Sequence, residues 1–244
     1  MNDQGMTLFK SNGLPQPGIY HYYLEEQENK TRVHLRIDPD ESGLLIINAN
    51  RVVHLNPSAA LMTYFHLEEK SPPQAIRALR KKFNVSHRRA KQDFRQFETL
   101  LDEVLDPHGG CPICELELET TAPFSAQLTA PYRMDFALTY RCNNDCSHCY
   151  NARPRRFPEM PLEQWKQAID KVWDLSIPHI VFTGGEPTLY HHLPELVAYA
   201  EAKGVITGLN TNGRKLADQN FLNQLLDAGL DLSLIHISEP TRPY

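Results

Sequence analysis

Arg141-Cys142-Asn143-Asn144-Asp145-Cys146-Ser147-His148-Cys149-Tyr150 is the stretch on which the reading of the second half of the chain turns. Its cysteines follow a C-x3-C-x2-C spacing, directly after an apolar run over 134–140 that reads as a strand. Three thiolates on one short loop can hold three irons of a cubane cluster and leave the fourth iron without a protein ligand. Simple electron transfer uses four cysteines, so an open iron points instead to a site that binds a chelating small molecule. Zinc is the rival ion. A structural zinc site asks for a fourth Cys or His at suitable spacing, and His148, lying between two ligands, is badly placed to supply it.

Outward from the loop the pattern alternates. Helical spacing covers 162–175, 193–203 and 220–228, and apolar strand-like runs cover 179–182 and 205–209. Strand–helix alternation predicts a parallel sheet with function at the carboxyl ends of its strands. Two more polar turns fall at such ends. Gly184-Gly185-Glu186-Pro187 follows the second strand, and Asn210-Thr211-Asn212-Gly213 closes the third. Either could be a plain turn, since Gly-Gly, Pro and Asn-Gly are turn signals.

After Asp231 a fourth strand is due, and the chain instead ends in a proline-bearing segment over 232–244. From Leu232 to Arg242 this segment reads as the translation of a common transposase sequencing adapter. The expectation is therefore a non-native tail on a truncated gene, with a terminal strand as the plainer alternative. Three strand–helix units cannot close a barrel.

The cysteine loop resembles that of radical S-adenosylmethionine (radical SAM) enzymes, whose loop after the first strand reads C-x3-C-x-aromatic-C. His148 takes the aromatic slot. The resemblance implies a 4Fe–4S cluster on Cys142, Cys146 and Cys149, with the methionine amino and carboxylate groups of SAM on the open iron. An electron from the reduced cluster breaks the sulfonium carbon–sulfur bond, and the resulting 5′-deoxyadenosyl radical removes hydrogen from the substrate. His148 and Tyr150 are expected on the cofactor side of the loop. Gly184, Gly185, Glu186 and Pro187 match the GGEP motif that contacts the methionine amino group, with Glu186 adding negative charge for an ammonium. Asn210 and Asn212 are either SAM-pocket residues or turn residues. The resemblance also implies an electron donor such as flavodoxin or ferredoxin.

Upstream, residues 1–30 are polar and hold Pro15 and Pro17, so an extended lead-in is expected. Three strands are predicted over 31–37, 43–49 and 51–56, where Val33, Leu35 and Ile37 alternate with polar residues. Asn56-Pro57, Ser71-Pro72 and Ser86 then open three helices. The third carries Phe94, Phe97, Leu101 and Val104 as one apolar stripe. Residues 31–105 thus read as a small α+β domain. It resembles the peptide-chaperone domain of pyrroloquinoline-quinone biosynthesis (PqqD-like), also called the recognition element for ribosomally made, post-translationally modified peptides (RiPPs). The carrying residues are Gly43-Leu44-Leu45 and Val53-His54-Leu55-Asn56-Pro57-Ser58-Ala59-Ala60. The resemblance implies that the leader of a precursor peptide adds a strand to the sheet edge beside the last helix. A winged-helix DNA binder is the rival, on the strength of Arg77, Arg80, Lys81, Lys82, Arg88, Arg89 and Lys91, offset by Asp93, Glu98, Asp102 and Glu103.

Between the two halves, residues 106–130 form a linker holding Cys111-Pro112-Ile113-Cys114. That pair is either half of an auxiliary iron–sulfur or zinc site or an unliganded reduced pair. The five cysteines sit in two tight clusters, unlike a disulfide framework, so a reducing, cytoplasmic setting is expected. A net charge of −5 gives no basic field for nucleic acid, and no apolar run approaches a membrane span. The fold class expected is α/β: a truncated parallel (β/α) partial barrel of the radical SAM type over 131–231, after a small winged-helix-like α+β domain. The expected activity is that of a radical SAM enzyme modifying a RiPP precursor. A radical SAM enzyme of another cofactor pathway, such as haem-type processing, and an iron–sulfur winged-helix regulator are the alternatives.

Overall fold

Period-2 alternation sets the first sheet. In the computed structural model, β1 (Gly18–Glu26), β2 (Asn29–Ile37), β3 (Gly43–Ile47) and β4 (Arg51–Leu55) pair antiparallel in that order. The structure describes residues 14–26, 29–48, 51–105, 129–147, 149, 151 and 157–235. The chain divides into two units, Met1–Gln127 and Leu128–Tyr244. The sheet has four strands rather than the three expected: within the extended lead-in, β1 pairs with β2 from Gly18 opposite Ile37 to Glu26 opposite Asn29. The cause is its own alternation: Tyr20, Tyr22 and Leu24 pack on the core, and the Tyr22 hydroxyl donates to Glu68 Oε1 at 2.9 Å. β2 is also less exposed than its pattern suggested. Val33, Leu35 and Ile37 fill the core, yet Arg32, His34 and Arg36 on the opposite face are buried too. There His34 stacks on His21 at 4.7 Å, and Arg36 Nε lies 3.2 Å from Asp38.

The helices α1 (Pro57–Leu67), α2 (Pro72–Phe83) and α3 (His87–Leu105) begin where the capping residues placed them. Asn56 Oδ1 accepts from the Ala59 N–H at 2.9 Å, and Ser86 Oγ accepts from the Arg89 N–H at 3.2 Å, satisfying amides that a helix start leaves open. α3 joins two cores: Ala90 and Phe94 pack with α1 and α2, while Leu101, Val104 and Leu105 pack beneath the sheet. The Cys111 and Cys114 pair lies outside the described residues. Among the described residues no helix is long and apolar enough to cross a membrane.

In the second unit β5 (Arg133–Thr139), β6 (His179–Gly184), β7 (Ile206–Thr211) and β8 (Leu232–Ile235) pair in parallel, each beside its sequence neighbour. Residues 232–235, the start of the segment expected as a tail, thus take the fourth-strand place that the alternation calls for. Helices α4 (Leu162–Asp174), α5 (Leu193–Lys203) and α6 (Gln219–Asp227) supply the crossovers. Phe136, Leu138, Ile180, Phe182 and Leu209 form one core with Ile169, Leu196, Val197 and Leu225 from these helices. The alternate residues Ala137, Thr183, Gly208 and Asn210 point to the other face. That leaves one face of the sheet packed on helices and the other carrying Val181 and Ile206 together with small and polar side chains toward the strands' carboxyl ends. Parallel pairing also puts the loops after β5, β6 and β7 at the same edge.

Candidate active site

The glycine pair at the end of β6 is explained by its neighbour strand. A Cβ on Gly184 (φ +138°) would fall 2.2 Å from the Thr139 carbonyl oxygen, and one on Gly185 would fall 2.3 Å from that of Arg141. Only glycine allows this approach. The Gly185 N–H then donates to Thr139 O at 2.7 Å and the Glu186 N–H to Arg141 O at 2.8 Å. Arg141 is the residue before Cys142, so the β6 turn is bonded to the root of the cysteine loop.

Glu186 is buried, 1% exposed, and its carboxylate joins two loops. Oε1 accepts from the Thr188 N–H at 3.1 Å and from the hydroxyls of Thr188 and Thr211 at 2.6 Å each. Oε2 accepts from the Asn212 N–H at 2.8 Å. The expected role of Glu186, a negative charge facing a cofactor ammonium, therefore meets a carboxylate already engaged on both oxygens by protein donors. Pro187 is buried at the start of a short 3-10 turn (Pro187–Leu189).

The turn after β7 reaches the cysteine loop directly. Asn212 Nδ2 donates to Asn143 Oδ1 at 2.7 Å, while Asn212 Oδ1 accepts from the Arg214 N–H at 3.1 Å. One guanidinium nitrogen of Arg214 donates to Asn143 O at 2.9 Å and to Asn144 Oδ1 at 2.7 Å. Lys215 donates to Thr188 O at 2.9 Å, which ties the same turn back to β6. Asn210 is half-buried on the face turned away from the helices.

Within the loop Cys142, Cys146 and Cys149 are free thiols, each half-buried. The Cys149 N–H donates to Cys146 O at 3.2 Å, and the Asn144 N–H lies 3.4 Å from Cys142 Sγ. Among the described residues no three Cys, His, Asp or Glu side chains converge on one metal ion. A cubane asks for one thiolate per iron rather than three on one, so three separate thiols on one loop are a donor set that fits it. His148 and Tyr150, expected on the cofactor side, lie outside the described residues.

The chain leaving the loop is anchored as well. Arg141 is 2.7 Å from Glu159 through both Nε and a terminal nitrogen, and it also donates to Leu189 O at 3.0 Å. Burial would raise the Glu159 carboxyl, but a hydrogen bond from Thr139 and the Arg141 guanidinium outweigh it and hold it below its ordinary value. Asn151 Nδ2 donates to Gly184 O at 2.6 Å. Sequence reading missed Asn143, Thr211, Arg214 and Glu159. Asn143 carried a signal in its place within the cysteine loop, and Thr211 and Arg214 in theirs in or beside the Asn-Thr-Asn-Gly turn, whereas Glu159 carried none.

Residues 136–242 match the Radical SAM superfamily. Fe-coproporphyrin III synthase of Methanosarcina barkeri is 42% identical over 95 residues, which cover 38% of this chain and 24% of that protein. PqqA peptide cyclase of Granulibacter bethesdensis is 34% identical over 96 residues, 38% of this chain and 25% of that protein. The chain therefore matches about a quarter of the length of these relatives. Streptococcus suis SuiB bound to S-adenosylmethionine shares the fold, with a TM-score of 0.52 at 15% identity over 83% of this chain and 46% of that one. The match to the Radical SAM superfamily falls on the residues that place three free cysteines after β5 and bond a Gly-Gly-Glu-Pro turn to their loop, and that superfamily implies a 4Fe–4S cluster and SAM.

Proposed function

We propose that this chain works in a radical SAM enzyme that modifies a ribosomally made precursor peptide, with the N-terminal unit holding the peptide's leader. The observation that carries the first half is the cysteine loop, bonded to the turns after β6 and β7 at one edge of the parallel sheet. Cys142, Cys146 and Cys149 would hold the cluster. With SAM beside it, the cluster would supply radical chemistry that begins with removal of hydrogen from the substrate. Because the Glu186 carboxylate is engaged from within, we assign the cofactor's ammonium to main-chain carbonyls of the turn that Glu186 shapes, and the wall of the pocket to Asn210 and Asn212. His148 and Tyr150 complete this assignment on the loop, and a flavodoxin or ferredoxin in the cytoplasm would deliver the electron.

The test is iron and sulfide uptake by the chain reconstituted without oxygen. The parent should show the absorbance and, once reduced, the spin signal of a 4Fe–4S cluster, and a Cys142→Ala, Cys146→Ala, Cys149→Ala variant should lose both. Equal uptake by the variant would sink the assignment.

The peptide half rests on the sheet edge. β1 occupies the outer side of β2, which leaves β1 and β4 as the edge strands. β4 runs beside α3, since Arg51 donates to the Val104 carbonyl at 3.3 Å. An extended leader pairing with β4 would satisfy backbone groups and meet α3 side chains together. Synthetic peptides from short reading frames flanking the gene are the probe, with amide shifts in β4 and α3 expected. A proline in the middle of the pairing peptide should weaken the response by removing a ladder donor.

A second reading is favoured by the 42% identity over 95 residues to Fe-coproporphyrin III synthase, namely haem-type chemistry with the N-terminal unit as a scaffold. A Soret shift of iron coproporphyrin on adding the chain, with no amide response to any flanking peptide, would select it. The DNA-binding alternative has less support. Lys82 is paired with Glu41 at 2.7 Å and Arg89 with Asp93 at 2.8 Å, so part of the basic stretch is neutralised within the fold.

A further inference from the structure

Arg214 stands apart among the groups that touch the cysteine loop. It is exposed, it belongs to none of the motifs, and it contacts no cysteine, yet both of its guanidinium bonds end on the span between Cys142 and Cys146. Three contacts end there, and a fourth links the two residues that make them. The Arg214 guanidinium holds the Asn143 carbonyl at 2.9 Å and the Asn144 side chain at 2.7 Å. Asn212 holds the Asn143 side chain at 2.7 Å and, through its own oxygen, the Arg214 N–H at 3.1 Å. Asn144 is thereby fixed with its main-chain N–H 3.4 Å from Cys142 Sγ.

We propose that Arg214 is a positioning residue for the iron–sulfur cluster: by gripping Asn143 and Asn144 it keeps an N–H directed at the Cys142 sulfur, and so raises the cluster's reduction potential. The inference rests on the cluster assignment made above. Hydrogen bonds to cluster sulfurs and nearby positive charge both favour the reduced, more negative state. Of the two, the N–H···S contact is the larger lever here. The guanidinium is exposed and water screens its charge, whereas the amide points at the ligand atom itself. Electron delivery to a cluster of this family is the entry to all later chemistry, so a residue that sets how readily the cluster accepts an electron controls the reaction without touching cofactor or substrate.

The experiment is a redox titration of the full chain, reconstituted without oxygen and followed by the spin signal of the reduced cluster, with iron per chain measured in parallel. Arg214→Gln and Asn144→Ala should bind iron as the parent does but titrate at a more negative midpoint. Arg214→Lys, whose ammonium can donate to both partners, should titrate close to the parent. Asn144→Ala separates the two causes, because it keeps the Arg214 charge and removes only the anchor. If Arg214→Gln folds poorly by circular dichroism, Asn144→Ala and Arg214→Lys carry the test. Parent, Arg214→Gln and Asn144→Ala titrating together at equal iron content would overturn the assignment alone. A parent chain that takes up no iron would overturn the cluster reading, and this assignment with it.

Discussion

A carboxylate taken into a protein interior loses the water that solvated it, so each oxygen left without a donor is costly. Glu186 has four such donors, drawn from Thr188, Thr211 and Asn212. Replacing it with Gln keeps the volume but turns one acceptor oxygen into an NH2 that faces other donors. We expect Glu186→Gln to cost about 3 kcal/mol of stability, the cost of breaking charge-assisted bonds at a buried site. Trp165 and Trp173, the chain's two tryptophans, both lie on α4, so the urea midpoint by tryptophan fluorescence reads this unit. An unchanged midpoint would show that the carboxylate is not the joint described. His179, at the start of β6, gives a pH signature of the same unit. Its Nε2 is buried without a hydrogen-bond partner among the described residues. Burial, aided by the Arg133 cation and opposed by Asp135, lowers its pKa from 6.5 to about 4. The unfolded chain then binds more protons than the fold within that window, so stability is full above 6.5 and is lost as pH falls toward about 4. Between about pH 7 and about pH 5 the urea midpoint should drop, and by less in His179→Leu than in the parent. Of these residues, the sequence made Gly184, Gly185, Glu186 and Pro187 visible as a turn with a chemical precedent. It could not show that Glu186 faces inward, because Thr211 lies 25 residues downstream and only the β6–β7 pairing brings it near.

At the scale of elements, capping made the helices legible. Asn56, Ser71 and Ser86 each stand where a helix begins, and the strands over 43–47 and 51–55 follow from short apolar runs bounded by turn residues. β1 escaped because Pro15, Pro17 and a polar flank dominate the composition of residues 1–30, while the Tyr20, Tyr22, Leu24 alternation occupies only a few positions of it. Burial of Arg32, His34 and Arg36 could not be read from alternation either, since period 2 says which residues share a face and not what covers that face. β1 has a consequence that can be measured. Without it β2 would present an open row of N–H and C=O groups, the arrangement that invites edge-to-edge association. A chain lacking residues 1–26 should therefore elute as oligomers in size-exclusion chromatography where the full chain runs as a smaller species. Identical elution would argue that β1 does not protect this edge.

For the molecule as a whole, the change from clustered strands and helices to strict strand–helix alternation marked two units on either side of the proline- and glycine-rich span, and the structure divides the chain at Gln127 and Leu128. Each unit has its own apolar core, with Leu35 and Phe94 in those of the first and Phe182 and Leu196 in that of the second. Separate cores predict separate unfolding. Tryptophan fluorescence reports the second unit alone, whereas far-ultraviolet circular dichroism reports the helices of both. The two urea curves should therefore fail to superimpose, and coincident curves would indicate a single cooperative block.

The grip of Arg214 on Asn144 spans 70 residues of sequence. During synthesis the three cysteines leave the ribosome together, long before the arginine that will clasp the residues between them exists. For that interval the loop is an open hand. An iron donor that reaches the nascent chain meets thiols on a pliable segment and has its cargo locked in when the third strand docks, whereas one that arrives after release must first prise the fingers apart. Chains grown with iron available should then hold more cluster than chains folded first and loaded afterwards, and Arg214→Gln should narrow that gap.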